Sequence, residues 1–279
     1  MWACLGPQGM PMKRPEETSG GLTRQQGAWD SYAAEVRKRI RLNPTEFDIG
    51  RLPWIDEPWA APLLDALQLS PNKRIVELGC GLGETSVYLS KTGVSVTGLD
   101  YAFHAVAAAR DIAALNRSAA MFARATMQCL PFANSSIDAV FGINVLHHLS
   151  IPDVPLVLSE THRVLRFHGN AVFLEPIENS RLFDFVQNVF VSGSRPSCLN
   201  RRRWKAYVAR LEDRNMTNSE LARAGALFSR ITIAPYGLTS RLEGVFTSGW
   251  ARALMKGVDA IALRVLGRYA RSALVRYDK

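Results

Sequence analysis

Apolar runs of strand length alternate with stretches of helical spacing through the middle of this chain, and that rhythm is its tightest constraint. The runs are RIVEL (74–78), VSVTGL (94–99), MFARA (121–125), IDAVFGI (137–143) and NAVFLE (170–175). Between them lie ETSVYLSK, AFHAVAAARDIAALN and DVPLVLSETHRVLRF, the last two with apolar residues at helical spacing. Near-continuous apolar strands alternating with helices predict an α/β fold whose parallel sheet is covered on both faces. The rhythm breaks after residue 176. RLFDFVQNVF and NSELARAGALF read as helices there, the latter with Asn218 as its N-cap. Strand-like SRITIAPYGL (229–238), a helical stretch near 249–267 and strand-like SALVRY (272–277) follow.

The first strand runs into VELGCGLGETS (76–86), which packs three glycines into five positions before a helix. That junction is the crevice where open α/β sheets bind ligands, and glycine lets ligand atoms approach the backbone. A dinucleotide fold needs G-x-G-x-x-G so that a helix N-terminus can hold a pyrophosphate. Here the pattern is Glu77-x-Gly79-x-Gly81-x-Gly83, with the third glycine one place early and an anion ahead of it. A pyrophosphate gains nothing from Glu77, whereas a cationic ligand does. The second strand ends in Asp100, whose carboxylate can accept both hydroxyls of a ribose. The expected ligand is therefore a nucleoside with a positively charged tail and no phosphates. S-adenosyl-L-methionine fits that description.

At this point the chain resembles a class I S-adenosylmethionine-dependent methyltransferase of the small-molecule, type 11-like kind. VELGCGLG matches the family's first motif and VTGLD its acidic second-strand end. LPFANSSIDAVFGINVLHHL (130–149) matches the fourth-strand region, and RVLRFHGNAVFLEP (163–176) the entry to the fifth strand. The resemblance implies a Rossmann-like, seven-stranded, mostly parallel sheet with its last strand antiparallel. It also implies a helical lid inserted between strands five and six, at 177–228. Residues 1–26 read as a disordered arm, 27–70 as an N-terminal helical lid segment and 71–279 as the methyltransferase domain. In that lid segment Trp29, Tyr32, Ala33 and Val36 share one helical face.

Carried onto this chain, the resemblance assigns cofactor contacts to Glu77, Gly79, Cys80, Gly81, Gly83, Asp100, Tyr101, Thr126, Met127 and Asn144. Two departures stand out. The family's Asp-Ala before LPF is Thr126 and Met127, which weakens the expected grip on adenine, and its Pro-Gly-Gly turn is Phe167-His168-Gly169. For catalysis the candidates are His147 and His148 after the fourth strand, Glu175 closing the fifth, and Tyr32. Imidazole suits a base near neutral pH, and the sequence does not choose between the two histidines.

Motifs of competing acceptor classes are missing from the expected places. NVLH stands where amine methylases of DNA carry paired prolines and an aromatic, and no Pro-Cys nucleophile or glutamate pair follows the fourth strand. Nor does the chain show metal-ligand spacing, so no metal is expected. A small-molecule or lipid-linked acceptor remains. From Arg195 onward 17 lysines and arginines face 6 acids, with NRRRWK at 200–205, and an arginine fork binds carboxylate or phosphate. An acidic or phosphate-linked acceptor is the expectation; a membrane-surface role for the basic, apolar stretch 249–271 is a second hypothesis and not the favoured one, its glycines and moderate length pointing to core packing instead. Two alternatives stay open: a nucleic-acid methyltransferase, and a non-catalytic cofactor-binding partner protein. Cys4, Cys80, Cys129 and Cys198 show no CxxC, which predicts reduced thiols and a cytoplasmic setting.

Overall fold

The structure, a computed structural model, describes residues 20–178, 197–208, 215–237 and 266–279, with isolated positions between them. The helices expected over 181–190 and near 249–267 fall largely outside the described residues. Seven strands form one sheet: β1 (Arg74–Leu78), β2 (Ser95–Asp100), β3 (Met121–Arg124), β4 (Ile137–Ile143), β5 (Leu165–Pro176), β6 (Arg230–Tyr236) and β7 (Ser272–Asp278). Their order is β3-β2-β1-β4-β5-β7-β6. Strands β1 to β5 pair in parallel, and β7 runs antiparallel to both β5 and β6. This is the Rossmann-like, mostly parallel sheet expected, with the last strand reversed.

The helices among the described residues are α1 (Gly20–Leu42), α2 (Ala60–Leu67), α3 (Glu84–Ser90), α4 (Phe103–Leu115), α5 (Asp153–Val164), α6 (Arg201–Val208) and α7 (Asn218–Ala224). α7 corrects the expected cap. Thr217, one residue earlier than Asn218, accepts from the Glu220 N–H while the Glu220 carboxylate accepts from the Thr217 N–H. Such a reciprocal cap satisfies two otherwise orphaned donors. α1 already runs from Gly20, inside the stretch read as an arm. It lays Ala33, Val36 and Ile40 into the core, and Arg37 pairs with Asp111 of α4 at 2.7 Å. Tyr32 is half exposed rather than part of that buried face.

Core packing follows from strand burial. Ile75, Val76 and Leu78 on β1, Val140 and Phe141 on β4, and Val172 and Phe173 on β5 are all sealed from solvent, as both faces of the sheet are covered. Strand order reverses between β1 and β4, the switch point where such sheets open a crevice at their carboxyl ends. The glycine loop leaves β1 at that edge, and residues 144–148 leave β4 beside it. Among the described residues, no helix is long and apolar enough to cross a membrane.

Candidate active site

Three glycines of the loop adopt left-handed backbone, with φ of +65° at Gly79, +52° at Gly81 and +75° at Gly83. Packing within the protein explains two of them. A Cβ on Gly79 would lie 2.4 Å from Val145 Cγ2, and one on Gly83 would lie 2.5 Å from the Phe122 ring. Gly81 differs, because its N–H donates to Asp100 Oδ2 at 2.9 Å. The other oxygen of Asp100 accepts the Ala102 N–H at 2.8 Å, at the start of α4. The carboxylate thus ties the glycine loop to the next helix while retaining lone pairs for a further donor. Burial raises its pKa, partly offset by these backbone donors, and Asp30 adds a like charge.

Glu77 is buried, and its Oε2 accepts both the Ser86 N–H (3.1 Å) and the Ser86 hydroxyl (2.5 Å). It therefore anchors the first turn of α3, a role its place in the motif did not reveal. Its second oxygen makes no hydrogen bond among the described residues. Burial pushes the Glu77 pKa up to about 8, with Asp100 and Glu84 as negative neighbours acting against the Ser86 donors. Two desolvated carboxyl groups thus crowd one loop, with no cation between them among the described residues. The same burial and the same anions hold the Cys80 thiol well above its usual range. The arrangement fits S-adenosylmethionine, whose ribose hydroxyls would meet the Asp100 carboxylate and whose cationic tail would favour ionisation of Glu77.

Tyr101 follows Asp100, and Arg124 at the end of β3 grips it twice. The guanidinium donates to the Tyr101 carbonyl at 2.8 Å and lies 5.1 Å from the ring centroid. Thr126 and Met127 are half-buried in a turn closed by the Cys129 N–H on the Thr126 carbonyl. Cys129 is disulfide-bonded, which corrects the expectation of four reduced thiols, while Cys80 and Cys198 are free. Asn144 is exposed, with φ +56°, and donates its N–H to Leu174.

On the β4–β5 side the structure joins two residues that the sequence had kept apart. Glu175 is fully buried, and its Oε1 accepts the N–H groups of Val145 (3.0 Å) and Leu146 (2.8 Å). Its Oε2 accepts the His147 N–H (3.2 Å) and meets His147 Nδ1 at 2.9 Å. His148 is half-buried, with its ring centroid 4.0 Å from that of His147. Tyr32 belongs to α1, apart from this group in the chain.

Two contributors escaped the sequence reading. Arg124 lies in a stretch read only as strand. Asp30 accepts the His104 N–H at 3.0 Å and so fastens α1 over the start of α4, near Asp100. The helical stripe on α1 was the signal that could have pointed to Asp30. Elsewhere, a surface hollow of about 430 Å³ between α1 and α4 is lined by Arg37, Ile40 and Asp111 among others and holds none of these groups. Among the described residues, no cluster of three or more His, Cys, Asp or Glu is arranged to hold a metal ion.

With this geometry in place, residues 75–169 match the family described as "Methyltransferase domain". Those residues carry a methyltransferase domain. An uncharacterized methyltransferase of Synechocystis sp. is 31% identical over 106 residues, covering 38% of this chain and 48% of that protein. A demethylmenaquinone methyltransferase of Beutenbergia cavernae is 31% identical over 144 residues, covering 50% and 55% respectively. The methyltransferase-domain chain spans about half the length of the curated relatives it matches. A solved S-adenosylmethionine-dependent methyltransferase of Mesorhizobium loti shares the fold, with a TM-score of 0.53 at 20% identity over 79% of this chain and 97% of that one.

Proposed function

We propose that this protein transfers the methyl group of S-adenosylmethionine to a small-molecule or lipid-linked acceptor. The observation that carries the reading is the pair of carboxyls, Glu77 on β1 and Asp100 at the end of β2, that flank one glycine loop at the sheet's switch point, Asp100 accepting the Gly81 N–H and Glu77 anchoring the helix that follows the loop. Asp100 takes the ribose hydroxyls, Gly81 allows close approach, and Glu77, giving up its proton as the cationic tail binds, supplies the opposite charge. Gly79 and Gly83 keep the loop in shape, with Cys80 packed between Gly79 and Gly81. Tyr101, steadied by Arg124, offers its ring to the adenine, and Thr126, Met127 and Asn144 line the remaining edge. The cofactor, when bound, supplies a methyl carbon already activated by a sulfonium. The protein's task is then alignment, and proximity alone can contribute roughly 7–11 kcal/mol.

The name of the demethylmenaquinone relative supports a small or lipid-linked acceptor. Arg201, Arg202 and Arg203 of α6 are exposed, which suits an acceptor carrying carboxylate or phosphate. His147, His148, Glu175 and Tyr32 are the groups available on the acceptor side.

Calorimetric titration with S-adenosylmethionine, and separately with NAD, tests the reading on wild type and on Asp100→Ala. Micromolar binding of the first ligand alone is expected, weakened about 10- to 100-fold in the variant by loss of charged hydrogen bonds of roughly 1.5–3 kcal/mol. Folded wild-type protein that ignores S-adenosylmethionine refutes it.

A further inference from the structure

We propose that His147 is the general base of this site, that Glu175 is its positioning residue, and that the acceptor must lose a proton on methylation. The inference rests on the methyl-transfer reading above and deepens it by naming the acceptor's chemistry.

The argument begins with donor counting. Four N–H groups converge on the Glu175 carboxyl, two on each oxygen, and three of them are backbone. A carboxylate is acceptor-only, so the fourth contact requires the proton on His147 Nδ1. The lone pair of the neutral ring then sits on Nε2. Nε2 makes no hydrogen bond among the described residues, and the side chain keeps 9% exposure beside a Glu175 that has none. Val145, Leu146 and Leu149 are buried around the turn, so neither the backbone nor the ring can swing away. Among neighbouring titratable groups, the His148 ring lies 4.0 Å away, and the Tyr277 hydroxyl donates to the Leu221 carbonyl.

A carboxylate that merely held the turn would need the three backbone donors and nothing more. Burying an imidazole beside it adds a desolvation cost with no packing gain that leucine could not match. The group also stands where chemistry is expected. Val145 Cγ2 lies against Gly79, so the turn that carries His147 abuts the loop assigned to the cofactor's methionine end.

In the step itself, Nε2 takes the proton from the acceptor's O–H or acidic C–H. The acceptor atom bonds the methyl carbon as the C–S bond breaks, its electron pair staying on sulfur. The imidazolium, stabilised by Glu175, then releases its proton to water. Acceptors suited to this site are hydroxyls or acidic carbons. Thioethers and tertiary amines have no proton to give and would gain nothing from it.

The test has a structural and a kinetic arm. Nitrogen-15 NMR of the imidazoles, on the cofactor-free protein, should show His147 protonated at Nδ1 with a bare Nε2. A proton on Nε2 overturns the proposal. Methyl transfer from labelled S-adenosylmethionine is then measured to 2-naphthol and 1,3-cyclohexanedione, which lose a proton, and to iodide, which has none. His147→Ala should lower transfer to the first two by about 10²- to 10⁴-fold, leave iodide and cofactor binding within a few-fold, and recover in part with added imidazole. Glu175→Gln should move the acid limb of the pH–rate profile to lower pH, because an anion that favours imidazolium is gone. An equal loss with iodide, a larger loss in His148→Ala, or transfer to iodide alone in the wild type each overturns it. Cofactor binding without transfer to any probe sinks both the inference and the reading beneath it. Absent cofactor binding with the expected tautomer sinks the methyl-transfer reading, and with it the assignment of His147 as base.

Discussion

Glu77 and Glu175 are two buried glutamates near the carboxyl edge of one sheet, yet their surroundings are opposite. Glu77, on β1, receives both its donors from Ser86, on a single oxygen, and faces the anions Asp100 and Glu84. Glu175, on β5, receives four donors spread over both oxygens. The proposed cofactor side therefore keeps a carboxyl with one oxygen unbonded among the described residues, which a cation from outside would ionise. The proposed acceptor side keeps a satisfied one, which can influence chemistry only through the imidazole it holds. One residue type yields a ligand-seeking group in one place and a positioning group in the other, and the number of N–H donors decides which.

The sharpest way to break this comparison is to delete each carboxyl. Glu175→Leu leaves four N–H groups buried without partners, each costing roughly 1–3 kcal/mol, so a loss on the order of 4 kcal/mol or more is expected in urea unfolding. Glu77→Leu strands only the two donors of Ser86 and removes a desolvated carboxyl, so its loss should be at most about half as large. Equal losses would mean that donor counting does not distinguish the two sites.

A second test uses pH. The Glu77 carboxyl titrates at about 8 in the fold against 4.5 ordinarily, chiefly through burial. The folded state therefore holds its proton where the unfolded state has lost it, and stability falls as pH rises through that window. Below about 4.5 the contribution is complete, and by about pH 8 it is gone. Glu77→Gln should flatten the decline in urea titrations across this range. A bound cation would reverse the preference, so S-adenosylmethionine binding at pH 7 should release up to about one proton in the wild type and less in the variant. Calorimetry in buffers of different ionisation enthalpy reads that number directly. No release from the wild type would remove Glu77 from the cationic end of the site.

The parallel sheet was legible because β1 and β4 are apolar on both faces and bounded by breakers, and their ends fall where the runs end. The glycine loop was legible as a tight strand-to-helix turn, although its glycines answer two demands that sequence cannot separate. Gly79 and Gly83 are held by Val145 and Phe122, partners 66 and 39 residues away, and only three-dimensional packing exposes that. The His147–Glu175 pair joins positions 28 residues apart, a distance set by the β4–α5–β5 crossover rather than by any local pattern. Asn218 was misread as a cap for a smaller reason. Thr217 and Asn218 are both good caps, and only Glu220 three places after Thr217 decides between them.

The smallest expected effect serves as a control for the comparison. His168 occupies the turn that leads into the paired stretch of β5, and its φ of +64° is left-handed. A residue with a Cβ bears a cost of roughly 1–2 kcal/mol in that conformation, which glycine escapes while losing more chain entropy on folding. His168→Gly should therefore raise stability by about 0.5–1 kcal/mol. Glycine at the next position cannot share the role, since a Cβ on Gly169 would come within 2.9 Å of the Arg166 carbonyl and 3.0 Å of the Asp138 carbonyl. The turn sits at the amino end of the paired strand, opposite the edge that carries Glu175. The pH dependence assigned to Glu77, the His147 tautomer and cofactor affinity should all stay as they are in the wild type. A change in any of them would show that the two glutamate sites answer to the strain of the whole sheet, and the donor-counting contrast between them would then lose its local meaning.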